Sequence, residues 1–185
     1  PNGTAAPESG WYESGSTAVI TASPAAYYHV GAWSGDIAGA LIQSNQLTAT
    51  MYEPRHVGVG FEANLTALRG VPEYWLAAYG WTANFEAAAE TDTDSDGHAA
   101  WQEWRADTDP TNGLSVLKLT GMSLTNGQAW VFWSGGVART QILERAQAPN
   151  GPWLAIQTNT PPTAVNNGGA YPASTPGGFF RISVP

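Results

Sequence analysis

The stretch Asp92-Thr93-Asp94-Ser95-Asp96-Gly97-His98-Ala99-Ala100-Trp101-Gln102-Glu103 divides this chain into a β-prone half and a second β-prone half. Carboxylates stand at positions 1, 3, 5 and 12 of the stretch, with glycine at 6. Three alternating Asp side chains can converge on one point, Gly97 permits the sharp turn, and Glu103 arrives from a following helix. A hard cation that takes roughly six to eight oxygens is served by such a set, and Glu103 closes it bidentately. The reading is a calcium loop whose ligands are Asp92, Asp94, Asp96, the backbone carbonyl of His98, and Glu103. Ala100 at position 9 cannot ligate, so a water is expected at that vertex. Magnesium dehydrates reluctantly and is disfavoured in a site built from so many protein oxygens. An acidic surface turn accounts for Asp and Gly, but not for a carboxylate seven residues beyond the third Asp and inside a helix.

Around the loop, from Val71 to Asp107, the pattern is helical. Pro72 suits a first helical position, Glu73 favours the positive end of the macrodipole, and Gly80 is placed to end the helix. A second helix is expected from the cap Asn84 through Ala89, and a third from Ala99 to Ala106. Helices this short need packing partners, for which Trp75, Tyr79, Phe85, Trp101 and Trp104 are the candidates. Upstream, β-prone runs at 17–22, 27–30, 47–51 and 57–61 alternate with turn residues. Downstream, runs at 116–120, 129–133, 140–145, 153–156 and 179–184 are separated by turn clusters such as Thr125-Asn126-Gly127 and Asn150-Gly151-Pro152, a spacing that suggests an antiparallel sandwich.

Two resemblances attach to these segments. Gly10-Trp11-Tyr12, Thr21-Ala22-Ser23-Pro24, Ala32-Trp33-Ser34-Gly35-Asp36 and Val59-Gly60-Phe61 resemble the divergent internalin-type B-repeat of bacterial surface proteins. That resemblance implies a β-grasp-like spacer or adhesive module. The loop and its sequel Trp104-Arg105-Ala106-Asp107-Thr108-Asp109-Pro110 resemble the bacterial thrombospondin type 3-like and dockerin-like repeats. There a helix follows the loop and a Thr-Asp-Pro turn ends it; Ala99 departs from the larger aliphatic usual at position 8, which argues against pairing with a second loop. A lone extracellular site binds at about 10⁻⁴ to 10⁻³ M, which suits permanent occupancy outside a cell.

Composition narrows the function. Net charge is −8 and the seven basic residues are scattered, so no footprint for nucleic acid or anionic lipid exists. No apolar run reaches the roughly 18 residues of a membrane span. Cysteine is absent, which excludes disulfides and thiolate metal sites. The chain opens on Pro1 rather than Met and is expected to be a mature or excised segment. His29, His56 and His98 are far apart in sequence, and no nucleophile elbow, zinc-protease helix or phosphate loop is present. Asn2-Gly3-Thr4 and Asn64-Leu65-Thr66 match the N-glycosylation acceptor pattern. Of the nine tryptophans, Trp33, Trp130, Trp133 and Trp153 sit in alternating strand patterns and read as core, whereas Trp11 and Trp81 lie near turns and read as exposed.

The expected architecture is mainly β: a β-grasp-like module over 1–66, a helical calcium-binding connector over 67–112 and an antiparallel β-sandwich over 113–185. The expected function is that of a non-catalytic, extracellular or cell-surface structural protein stabilised by calcium, whose partners are copies of itself. Two β modules expose sheet edges, and an extended terminal segment such as the polar start Pro1 to Ser9 can add a strand to a neighbouring copy, giving a filament. The alternative is a carbohydrate-binding or adhesive appendage of a larger secreted bacterial protein, which requires a row of exposed aromatics on one sheet face.

Overall fold

Turn residues and short β-prone runs give a chain of small antiparallel sheets with three short helices among the described residues, 2–172 and 178–185 of a computed structural model. It divides into two units, Pro1–Phe85 and Glu86–Pro185. The first holds β1 (Gly3–Ala6), β2 (Ser16–Pro24), β3 (Tyr28–Gly35), β4 (Leu41–Gln43), β5 (Gln46–Met51), β6 (Val57–Ala63) and α1 (Glu73–Ala78). Four of these strands form one sheet in the order β1-β2-β5-β4, and β3 pairs with β6. Alternation along β2 and β5 turns Ala18, Ala22, Leu47 and Ala49 inward. Helix α1 starts one residue later than expected, because Pro72 is extended and acts as N-cap. Gly80, at φ +100°, follows the C-cap Tyr79 as a C′ residue should. The helix buries Leu76 and stacks Tyr74 flat on Tyr28, ring centroids 5.6 Å apart.

Pro1 lies outside the described residues, and part of the remaining polar start is already paired. Gly3 to Ala6 pair with Pro24 to Thr21 as an edge strand of the chain's own sheet. At the other end, β12 (Phe179–Ser183) pairs residue by residue with Ala146 to Ile142 of β9 (Gln141–Ala146). Both terminal strands are therefore paired within the chain, each as an edge strand of its sheet.

In the second unit, α2 (Phe85–Ala89), across whose first residue the division falls, and α3 (Ala100–Ala106) precede β7 (Lys118–Thr125), β8 (Gln128–Ser134), β9, β10 (Leu154–Asn159), β11 (Asn166–Pro172) and β12. The strands form two three-stranded sheets, β10-β9-β12 and β11-β8-β7. Asn126-Gly127 makes the two-residue turn between β7 and β8, with φ of +52° and +72°, the paired left-handed conformation of a type I′ hairpin. Val131 and Trp133 from one sheet and Leu143 from the other form the core, with Leu117, Ile156, Phe180 and Ile182 packed against them. Inside it Gln141, fully buried, accepts the Trp133 indole N–H (2.7 Å) and donates to the Gly136 carbonyl (2.6 Å). A buried polar side chain so satisfied fixes the packing of its neighbours.

Trp133 is core as expected, but Trp130 is not. The register pairs Trp130 with Ser123 and Ala170, on the face of β8 opposite to Val131 and Trp133, and it is 39% exposed. Trp11 is fully exposed, while Trp33, Trp81 and Trp153 are half-buried, the last under the Arg181 guanidinium at 4.5 Å.

Candidate metal centre

The loop folds on its own carboxylates. Asp92 accepts the N–H groups of Ser95 (2.8 Å) and Gly97 (3.0 Å), Asp94 accepts that of Asp96 (3.2 Å), and Asp96 accepts that of His98 (2.8 Å). Gly97, at φ +97°, takes the left-handed turn that the loop needs at its sixth position. Asp92, Asp94 and Asp96 thereby bring one oxygen each within 4.8 Å of one another, close enough to share one divalent cation. The His98 ring lies against Asp96, with Nδ1 3.2 Å from Oδ1, and is turned to its neighbour inside the loop.

Glu103 comes from α3. Ala99 is its N-cap, and the Gln102 side chain reaches back to accept the Ala99 N–H at 2.8 Å, half of a capping box. Ala100, Glu103 and Ala106 make the buried stripe, and Glu103 is 1% exposed. Neither of its carboxylate oxygens has a hydrogen-bond partner, and the second oxygens of Asp94 and Asp96 are buried and unpartnered too. Burial pushes the Glu103 carboxyl up to about 8, with the charges of Asp94, Asp96, Asp109 and Asp92 adding to the effect. Four buried carboxylate oxygens without a proton donor are a set that lacks its positive charge, since such groups otherwise find partners. The residues present fit a hard divalent cation.

The loop motif did not reveal the wall of the site. The turn from Asp109 to Ser115 folds over the loop, its Asp109 carboxylate accepting from Thr111 and its N–H donating to the Ser115 hydroxyl at 3.0 Å. A Cβ at Gly113 would sit 3.4 Å from the Asp94 carbonyl oxygen and 3.5 Å from the Asp96 Cβ. Asp109, whose charge reaches Glu103, was legible only as part of a Thr-Asp-Pro turn.

Past Glu103, α3 is tied to the sheets of its own unit. Asp107 caps it in the left-handed conformation (φ +59°), and its carboxylate accepts the N–H groups of Val137 (2.9 Å) and Ala138 (2.8 Å). Gly136 passes so close to the Asp107 carbonyl that no side chain fits there, and its own carbonyl holds Gln141 and Thr163. One continuous run thus joins the loop, the helix cap and the buried Gln141-Trp133 pair.

The remaining candidates are separate. His29 meets Asn64 at 2.9 Å, and the Asn64 amide donates to Glu73 at 3.2 Å while Thr66 is buried. That acceptor triplet is built into the fold, and a glycan on Asn64 would break its hydrogen bonds. His56 uses its backbone N–H on Asp36. No helix among the described residues is long and apolar enough to cross a membrane.

The fold and site define a mainly β chain of two units, the second carrying an acidic loop beside its sheets. Residues 1–89 match the family described as Divergent InlB B-repeat domain, which takes in the whole first unit and stops before the loop. No curated protein and no solved structure matches the chain.

Proposed function

We propose that the chain is a non-catalytic, extracellular structural protein of the bacterial surface type, whose second unit is held in shape by one calcium ion. The observation that carries the metal reading is Glu103: a carboxylate 1% exposed, with both oxygens unpartnered, which stands outside the 4.8 Å cluster of Asp92, Asp94 and Asp96 but within reach of their charges. Asp92, Asp94, Asp96 and Glu103 would hold the ion through carboxylate oxygens and His98 through its backbone carbonyl. When bound, calcium supplies the positive charge that offsets their mutual repulsion.

The extracellular reading is supported by the B-repeat match of the first unit and by the affinity range of lone loops of this kind, near 10⁻⁴ to 10⁻³ M. On this reading the first unit is a β-grasp-like spacer and the second a β-sandwich with the loop fused to it. Assembly through a docked terminal segment is not part of the proposal, because β1 and β12 are already paired.

Binding of calcium to the folded chain alone makes its stability depend on calcium concentration. The test is calorimetric unfolding in chelator, in calcium and in magnesium. A midpoint that climbs with calcium and much less with magnesium is the expected result. A midpoint indifferent to calcium at 10 to 100 times the ~10⁻⁴ M range would reduce residues 92–103 to an acidic turn.

A further inference from the structure

The outer face of the sheet β11-β8-β7 carries two large aromatic side chains with nothing over them. Trp130 and Phe132 are 39% and 41% exposed, two residues apart on the central strand β8. They lie on one face about 6.6 Å apart along the strand. The register sets Trp130 between Ser123 of β7 and Ala170 of β11, and Phe132 between Gly121 and Gly168. No flanking side chain is tall enough to cover a ring. A Cβ built on Gly168 would stand only 3.0 Å from Cδ1 and 3.2 Å from Cε1 of Phe132, so that ring reclines across the neighbouring strand. The same face continues into short polar side chains, Thr125 and Gln128 at one end, Ser134 and Asn166 at the other, and Lys118 is its one charged residue.

Exposed aromatics in such an arrangement ask for an occupant. Three strands by seven residues give a patch of roughly 300 Å², well below the ~800 Å² per partner of a stable protein interface. A single lysine at one end is too little positive charge for nucleic acid or another polyanion. What fits is a flat, neutral molecule that offers C–H groups to the electron-rich ring faces and hydroxyls to the polar margin. Pyranose rings linked in an extended chain have that form.

We propose that this face is a carbohydrate-binding platform, on which Trp130 and Phe132 stack neighbouring pyranose rings of a neutral polysaccharide. The site is independent of the calcium loop, and its test does not depend on metal.

The test is titration calorimetry of the full chain with cello-, xylo-, manno- and chito-oligosaccharides, together with light scattering of the protein alone. At least one of the four binds, and Trp130→Ala and Phe132→Ala each weaken it roughly tenfold, the scale of one stacking contact. Trp11→Ala, which removes an exposed tryptophan of the other unit, leaves binding unchanged. Ser123→Glu keeps both rings but raises a charged side chain beside Trp130, and it abolishes binding in a chain whose unfolding midpoint is unaltered. The proposal is overturned if none of the four oligosaccharides binds, or if binding survives in the Trp130→Ala, Phe132→Ala double variant. It is equally overturned if the chain dimerises and these substitutions abolish the dimer, which makes the face a protein interface.

Discussion

Replacing Glu103 by Gln is expected to do two opposite things, and the pair of effects is diagnostic. In the absence of metal, Glu103 titrates near 8 when folded and near 4.5 when unfolded. The folded chain then binds more protons than the unfolded chain between those values, so metal-free stability is fully present below pH 4.5 and declines as pH rises towards 8. At pH 7.5 the loss amounts to about 4 kcal/mol, from about three pH units at 1.36 kcal/mol each. Gln removes that titration but leaves a buried amide without partners, which costs about 1 to 3 kcal/mol. The metal-free variant is therefore more stable than the metal-free parent by about 1 to 3 kcal/mol, which for a domain near 100 residues is roughly 4 to 8 °C per kcal/mol. In calcium the gap closes. The parent gains about 1 to 3 kcal/mol at 10 mM calcium for a dissociation constant of 10⁻⁴ to 10⁻³ M, and the variant, lacking its bidentate closure, gains little. Scanning calorimetry of both proteins, with chelator and with calcium, reads all four midpoints. A Glu103→Gln chain that is less stable without metal and keeps its calcium response would refute the assignment of Glu103 as a ligand.

Calcium displaces the proton that Glu103 holds below pH 8, so calcium affinity is expected to rise between pH 6 and 8, with proton uptake by the buffer in titration calorimetry; equal affinity at both pH values would contradict it. Asp107→Ala is expected to destabilise the chain by about 1 to 3 kcal/mol in thermal unfolding, because Val137 and Ala138 lose their charged acceptor, while Asp107→Asn recovers most of the loss. Gln141→Leu strands the Trp133 indole N–H, while the Gly136 carbonyl keeps the Thr163 hydroxyl, and is expected to cost about 1 to 3 kcal/mol in urea unfolding, with a shift in tryptophan fluorescence. The hydrogen bond from Arg181 at 2.7 Å, helped by Ser183, holds the Glu144 carboxyl below the usual carboxylate range. Its stabilisation is present above the unfolded value of 4.5 and disappears as pH falls through the lower folded value, so Arg181→Gln should raise the midpoint pH of acid unfolding.

The parts of this structure that the sequence made legible are those where a residue type does one job locally. Asn126-Gly127 specifies a type I′ turn wherever it stands between strands, and Gly80 and Gly97 take left-handed positions that other residues resist. The Asp-x-Asp-x-Asp-Gly spacing folds on its own backbone and needs no distant partner to bring its oxygens together. Strand β11 was not legible, since Asn166-Asn167-Gly168-Gly169 reads as a turn. It is a strand for tertiary reasons. At Gly169 an added Cβ would strike Gln157 and press on Leu143 at 3.2 Å, and Gly168 lies under Phe132, so large side chains from neighbouring strands take the space on both faces. The wall of the metal centre was hidden in the same way, because nothing in the spacing of Asp109 and Gly113 says that they fold back over residues 92–96.

Strand β8 shows why the remaining misreading arose and why it is informative. Ala129-Trp130-Val131-Phe132-Trp133 is apolar on both faces, so a period of two cannot tell which tryptophan is inside. In an antiparallel sheet with one solvated face, core packing demands large apolar residues at Val131 and Trp133 alone, and those are the two that are buried. The alternate positions are free of that demand, and a polar residue at either would improve solubility without disturbing the core. Trp130 and Phe132 occupy them nonetheless, with glycine, alanine and serine beside them where taller side chains would have shielded the rings. Gly168 makes room for the Phe132 ring, but core packing requires neither aromatic, nor the small Ser123 and Ala170 beside Trp130, whereas a flat ligand uses them all. A substitution series at Ser123 and Ala170 separates the two accounts: shielding the rings with larger polar residues should leave the unfolding midpoint in place and lower only carbohydrate binding.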